Sequence, residues 1–110
     1  MDQTDRRRFL RVKIEPPIRA AVGATRVYVE DASIGGIRVI HKAPLPDPGE
    51  VCRVDLPSDV GPIHLDCEVV RTVYERALYH SGMQIVAAAD RQSAERLRTF
   101  YNAKLPPMSS

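Results

Sequence analysis

Two short runs of residues hold most of the chemistry in this chain. The first is Arg6-Arg7-Arg8-Phe9-Leu10-Arg11, and the second is Asp31-Ala32-Ser33-Ile34-Gly35-Gly36. A guanidinium is a flat fork of donors that matches a phosphate or the O6 and N7 edge of guanine, and its face stacks on a base. Asp31 and Ser33 are two residues apart, so in an extended segment they share one face. There a carboxylate and a hydroxyl accept the N1–H and N2–H donors of a guanine edge. Gly35 and Gly36 allow the backbone to turn sharply or to approach a ligand closely. Together the runs describe one site for an anion and a nucleobase.

The charge distribution supports a small anionic partner. The net charge of the 110 residues is only +2. Residues 1–13 carry Arg6, Arg7, Arg8, Arg11 and Lys13 against Asp2 and Asp5, so the whole excess sits on one short segment. A general nucleic-acid binder spreads its positive charge over a face of the folded domain. No apolar stretch follows Met1, and no run approaches the roughly 20 apolar residues of a membrane span. The expectation is a cytoplasmic protein. Cys52 and Cys67 have no metal-ligand spacing and suit small buried hydrophobes in a reducing compartment. His41, His64 and His80 also lack such spacing and are expected at the surface or at strand edges. No metal or other cofactor is expected.

The elements that must position the two runs are mainly strands. Residues 63–73 alternate with a period of two, with Ile63, Leu65, Cys67, Val69, Arg71 and Val73 on the apolar side. Arg71 on that side is either a further ligand contact or a residue emerging at a rim. Residues 51–56 alternate likewise, and shorter strands are expected at 18–22, 25–30, 36–41 and 78–86. Pro44, Pro46, Pro48 and Gly49 mark one loop, and Pro57, Gly61 and Pro62 another. About six short strands with polar turns favour a closed antiparallel sheet, which leaves no exposed edges. From Asp90 onward, Leu97, Phe100, Tyr101 and Leu105 recur at helical spacing, with Asp90 or Ser93 as N-cap and Pro106-Pro107 as the stop. Such a helix packs on the barrel or closes one end. The core is expected to be Val, Ile, Leu and Ala, because the chain has no Trp and few aromatic residues.

In order and spacing, the motifs resemble those of the PilZ domain, a bacterial receptor for cyclic di-GMP. Its RxxxR signature is matched by Arg7-Arg8-Phe9-Leu10-Arg11, and its [DN]xSxxG signature by Asp31-Ala32-Ser33-Ile34-Gly35-Gly36. The resemblance extends over nearly the whole chain. It implies a six-stranded antiparallel β-barrel of the split PilZ type with a C-terminal α-helix. Within one domain, residues 1–15 would be a flexible arm, 16–89 the barrel, 90–105 the helix and 106–110 a tail. It also implies that Arg7 and Arg11 contact guanine and phosphate, and that Asp31, Ser33 and Gly36 form the pocket for a guanine edge. Arg6, just before the motif, points to an intercalated pair of cyclic di-GMP molecules. Arg8 and Gly35 are lesser candidates, and the downstream protein partner is not specified.

Competing readings exist for each run. A terminal arginine cluster is ordinarily a solvated tail, and Asp-x-Ser before glycines is ordinarily a turn that bonds its own backbone. A ligand-independent interaction module or an RNA-binding barrel would use the arm only for charge, but strands poor in aromatic residues offer few stacking platforms for RNA. A serine nucleophile built from Ser33, His41 and Asp31 lacks any sign of an oxyanion hole, so no enzyme is expected.

Overall fold

The computed structural model describes residues 10–105. In order, the elements are β1 (Val12–Val22), β2 (Thr25–Ser33), β3 (Gly36–His41), β4 (Val51–Leu56), β5 (Ile63–Glu75), β6 (Leu78–Ala88) and the helix α1 (Arg91–Lys104). The strands form one antiparallel ring in the order β1-β2-β3-β6-β5-β4. A short β1–β4 pairing closes it, with Ala21 opposite Asp55 and Val22 opposite Val54. This is the expected six-stranded barrel with a C-terminal helix.

β3 and β4 have the expected bounds, whereas β1, β2, β5 and β6 run longer than their sequence patterns suggest. β1 begins at Val12, so residues 12–15, which the family resemblance puts in the arm, already lie in a strand, and Val12 and Lys13 pair with Ala32 and Asp31 of β2. The ladder is interrupted between Lys13 and Ile18. Pro16 and Pro17 fall in that gap, where their missing N–H groups cost no ladder bond.

The interior is apolar, as expected. Val27, Val29, Val39, Val54, Ile63, Leu65 and Val69 have no exposed surface, and Leu97 and Phe100 join the same cluster from α1. Two of the insertions in the ladders shape the wall that carries the motif residues. Glu30 is an extra residue in β2 between Val29 and Asp31, and Val70 is an extra residue in β5 between Val69 and Arg71. Each shifts the alternation by one, so that Asp31 and Arg71 turn outward while Ala32 continues the inner face. The inward alternation of β5 therefore ends at Val69, and Arg71 lies outside, contrary to the regular pattern of its sequence. Val70, the inserted residue, is left largely exposed.

Asp90 caps α1 by accepting the Ser93 N–H at 2.6 Å, and this bond holds its carboxyl below the usual range. Ser93 is fully buried, and its Oγ accepts the His64 N–H of β5 at 2.8 Å. Leu97, Phe100 and Tyr101 form the buried stripe, and the helix ends at Lys104. The expected proline stop lies outside the described residues. Tyr101 Oη donates to the Leu10 carbonyl at 2.6 Å, which ties the entry into β1 to the helix. Among the described residues, no helix is long and apolar enough to cross a membrane.

His41 differs from expectation, since it is buried. Its Nδ1 lies 2.7 Å from the Ala43 carbonyl and its Nε2 2.7 Å from Ser81 Oγ. A carbonyl only accepts, so Nδ1 carries the proton in this arrangement and Nε2 accepts from Ser81. Ser81 Oγ then accepts from Thr72 Oγ1 at 2.8 Å. His64 and His80 are half-buried, the former beside Asp55.

Cys52 and Cys67 stand opposite each other on β4 and β5 as free thiols. Burial pushes the Cys67 thiol up to about 12, and the neighbouring Cys52 and Asp66 add to the effect. The thiolate is the nucleophile, so Cys67 should resist iodoacetamide at about pH 8 in the folded protein and label fully once unfolded. Peptide mapping by mass spectrometry checks this; native labelling at the rate of a free thiol would contradict the packing described.

Candidate functional site

The strand registers bring five residues into one row across the outer wall. Lys13 pairs with Asp31, Asp31 with Arg38, Arg38 with Gly82, and Gly82 with Arg71. Asp31 is on this row because of the Glu30 insertion, and Arg71 because of the Val70 insertion. Arg11 enters from the start of β1. Its Nη1 donates to Asp31 Oδ1 at 2.6 Å, while Arg38 Nη1 lies 3.5 Å from Asp31 Oδ2. Each carboxylate oxygen of Asp31 thus faces a guanidinium.

The two arginine side chains are about half exposed, whereas Asp31 is only 15% exposed. Solvent reaches the guanidinium side of each pair and screens it. A ligand that offers Asp31 donors and offers Arg11 an anion can replace the pair and keep the carboxylate satisfied.

The β2–β3 turn forms the next part of the wall. Ser33 Oγ accepts the Gly35 N–H at 3.3 Å and sits 3.5 Å from the Gly36 carbonyl, so its hydroxyl braces the turn. Gly36 is required by close approach of strands. A Cβ there would lie 2.7 Å from the Met83 carbonyl oxygen of β6 and 3.7 Å from Arg11 Nη2. Arg11, Ser33, Gly35, Gly36, Arg71 and Gly82 line a recess of about 460 Å³. A second recess of about 420 Å³ adjoins it and shares Arg11, Arg71 and Gly82.

The structure therefore gathers Arg11, Asp31, Ser33, Gly35, Gly36 and Arg71 into one place. Arg6, Arg7 and Arg8 lie outside the described residues. Ser33 and Asp31 make no contact with His41, whose ring is committed to Ala43 and Ser81. No group of His, Cys, Asp and Glu among the described residues is arranged to hold a metal ion. Sequence reasoning missed Arg38 and Gly82. Arg38 was findable in principle, since it lies two residues beyond Gly36 on a strand whose Ile37 and Val39 face inward. Gly82 emerges only from the pairing of β6 with both neighbours.

The family model of the PilZ domain matches residues 5–103, a span that holds both motifs. The chain belongs to the PilZ domain family. Among solved structures, this PilZ domain is similar to the PilZ domain with c-di-GMP of YcgR from Escherichia coli, with a TM-score of 0.65 and 15% identity over 86% of this chain and 88% of that one. It is also similar to YcgR in complex with c-di-GMP from Escherichia coli, with a TM-score of 0.68 and 16% identity; the alignment covers 86% of this chain and 43% of that one. At these identities the likeness is one of fold. No curated protein matches the chain.

The glycine geometry has a direct consequence. Gly36→Ala forces either β3 from β6 or a shift of the Met83 carbonyl, and overpacking of this kind costs about 1–3 kcal/mol. Gly35→Ala meets open space and should cost little. Urea melts of the two variants check this, and equal stability would contradict the close approach.

Proposed function

We propose that this PilZ domain is a cytoplasmic receptor for cyclic di-GMP and not an enzyme. The observation that carries the reading is the meeting of the two motifs: Arg11 of RxxxR and Asp31 of DxSxxG touch at 2.6 Å beside the recess edged by Ser33 and Gly36. The YcgR structures of similar fold are complexes with c-di-GMP, which supports the same ligand here.

In the proposed bound state, the N1–H and N2–H groups of one guanine take the Asp31 carboxylate. The Arg11 fork turns to a phosphodiester or to the guanine O6 and N7 edge, and Arg7 and Arg6 supply further forks. Gly36 lets β3 pack closely against β6 behind the site, and Ser33 holds the turn in shape. The Arg6 side chain favours a second, intercalated dinucleotide, giving two molecules per domain. Ordering of the arginine arm against the barrel is the output. Because Tyr101 holds the Leu10 carbonyl next to Arg11, a change in the arm also bears on α1, so the surface offered to a partner protein differs between free and bound forms.

Isothermal titration of the full chain with cyclic di-GMP tests the reading. Saturable binding is expected, with a stoichiometry approaching two, and Arg11→Ala should weaken it by at least about tenfold while leaving the melt unchanged. Asp31→Ala should lose preference for cyclic di-GMP over cyclic di-AMP. Absence of heat and of thermal shift at about 100 µM ligand would overturn the receptor reading. Salt-dependent RNA binding without response to the dinucleotide would favour the RNA-binding barrel instead.

A further inference from the structure

β2 and β3 diverge at the end of the barrel opposite the Ser33–Gly36 turn. Their ladder ends at Tyr28–Ile40, although β2 starts at Thr25 and β3 runs on to His41. Residues 25–27 of β2 therefore pair with β1 alone. Continuing the same register would set Arg26 opposite Lys42, and like charges directly opposite each other destabilise a sheet. The chain instead bends at Lys42 and Ala43, and His41 Nδ1, donating to the Ala43 carbonyl at 2.7 Å, holds the bend. Tyr79 stacks on the His41 ring, with centroids 5.4 Å apart.

The gap is a cleft of about 780 Å³, larger than either recess beside the motifs. Pro17, Tyr28, Ile40 and Leu78 give it an apolar lining, and Arg26 and Lys42 are its cations. Neither cation has an ion-pair partner among the described residues. Asp55 shares a neighbouring recess with Arg26, but its carboxylate is taken by His64 Nδ1 at 2.6 Å. The cleft thus combines an uncovered strand edge, apolar surface and two uncompensated charges of one sign.

Each of these calls for a different part of one ligand. A free strand edge takes an extended backbone, an apolar lining takes a bulky side chain, and paired cations take carboxylates. A membrane surface suits the cleft less well, because lipid recruitment uses clusters of about 4–8 basic residues on an open face.

We infer that the cleft between β2 and the end of β3 binds an extended acidic segment of a partner protein. Its backbone lies along residues 25–27, a bulky apolar side chain packs against Tyr28, Ile40 and Leu78, and its carboxylates sit between Arg26 and Lys42. The cleft is at the far end of β2 and β3 from the motif turn, and the inference is independent of the cyclic di-GMP reading.

Selection from a random dodecapeptide library displayed on phage, with the full chain as bait, tests the inference. The enriched peptides are then titrated into the parent, into Arg26→Glu/Lys42→Glu and into Tyr28→Ala. All three side chains are exposed, so the barrel should fold; Tyr28→Thr replaces the alanine if the melting temperature falls. The peptides should carry Asp or Glu around a bulky apolar residue, and both variants should weaken them by about tenfold or more. No enrichment, enrichment without acidic residues, or parental affinity in both variants would overturn the inference. Weakening in only one variant would also overturn it, because the peptide would then be held by charge alone or by apolar contact alone. Binding to vesicles containing phosphatidylserine that the charge reversal abolishes, with no peptide enriched, would overturn it in favour of a membrane surface.

Discussion

Side chains on a strand alternate between faces, so one inserted residue turns every later side chain to the opposite face. The outer wall of this barrel depends on two such insertions, Glu30 in β2 and Val70 in β5. Without the first, Asp31 would follow Val27 and Val29 into an apolar interior, where an unpaired carboxylate costs several kcal/mol or must take up a proton. Without the second, Arg71 would follow Leu65, Cys67 and Val69. The same two residues thus keep charge out of the core and put it on the row that also holds Arg38 and Gly82.

That row is electrostatically poised. Asp31 has a guanidinium at each oxygen, yet both arginines are half exposed and solvent screens their pairing with it. The glycines at 36 and 82 act differently from one another. Gly36 permits backbone contact with Met83 and so belongs to the packing of the barrel, whereas Gly82 faces open space and keeps the outer surface clear. Substitution at the first should therefore register in stability, and at the second in the shape of the wall.

Much of this was legible in the sequence. The motif residues, the six strands and the stripe of Leu97, Phe100 and Tyr101 all follow from residue type and spacing, because each depends on local chemistry and on the period of the element carrying it. The insertions were not legible. Val70 sits between Val69 and Arg71 in a run whose alternation looks unbroken, and nothing in residue type says that the partner strand skips it. Burial of His41 was also hidden, since its partner Ser81 lies on β6, which neighbours β3 only in the closed ring. Arg38 and Gly82 gain meaning only from cross-strand register, which is a property of the whole sheet.

The central claim is that the outward row between the two insertions is a nucleotide-binding wall. Titrating ¹⁵N-labelled protein with cyclic di-GMP and following the amide resonances tests it most directly. The account predicts shifts centred on Asp31, Gly36, Arg38, Arg71 and Gly82, with the opposite end of β2 and β3, around Arg26 and Ala43, unmoved. Shifts centred on that opposite end, or none at saturating ligand, would contradict it.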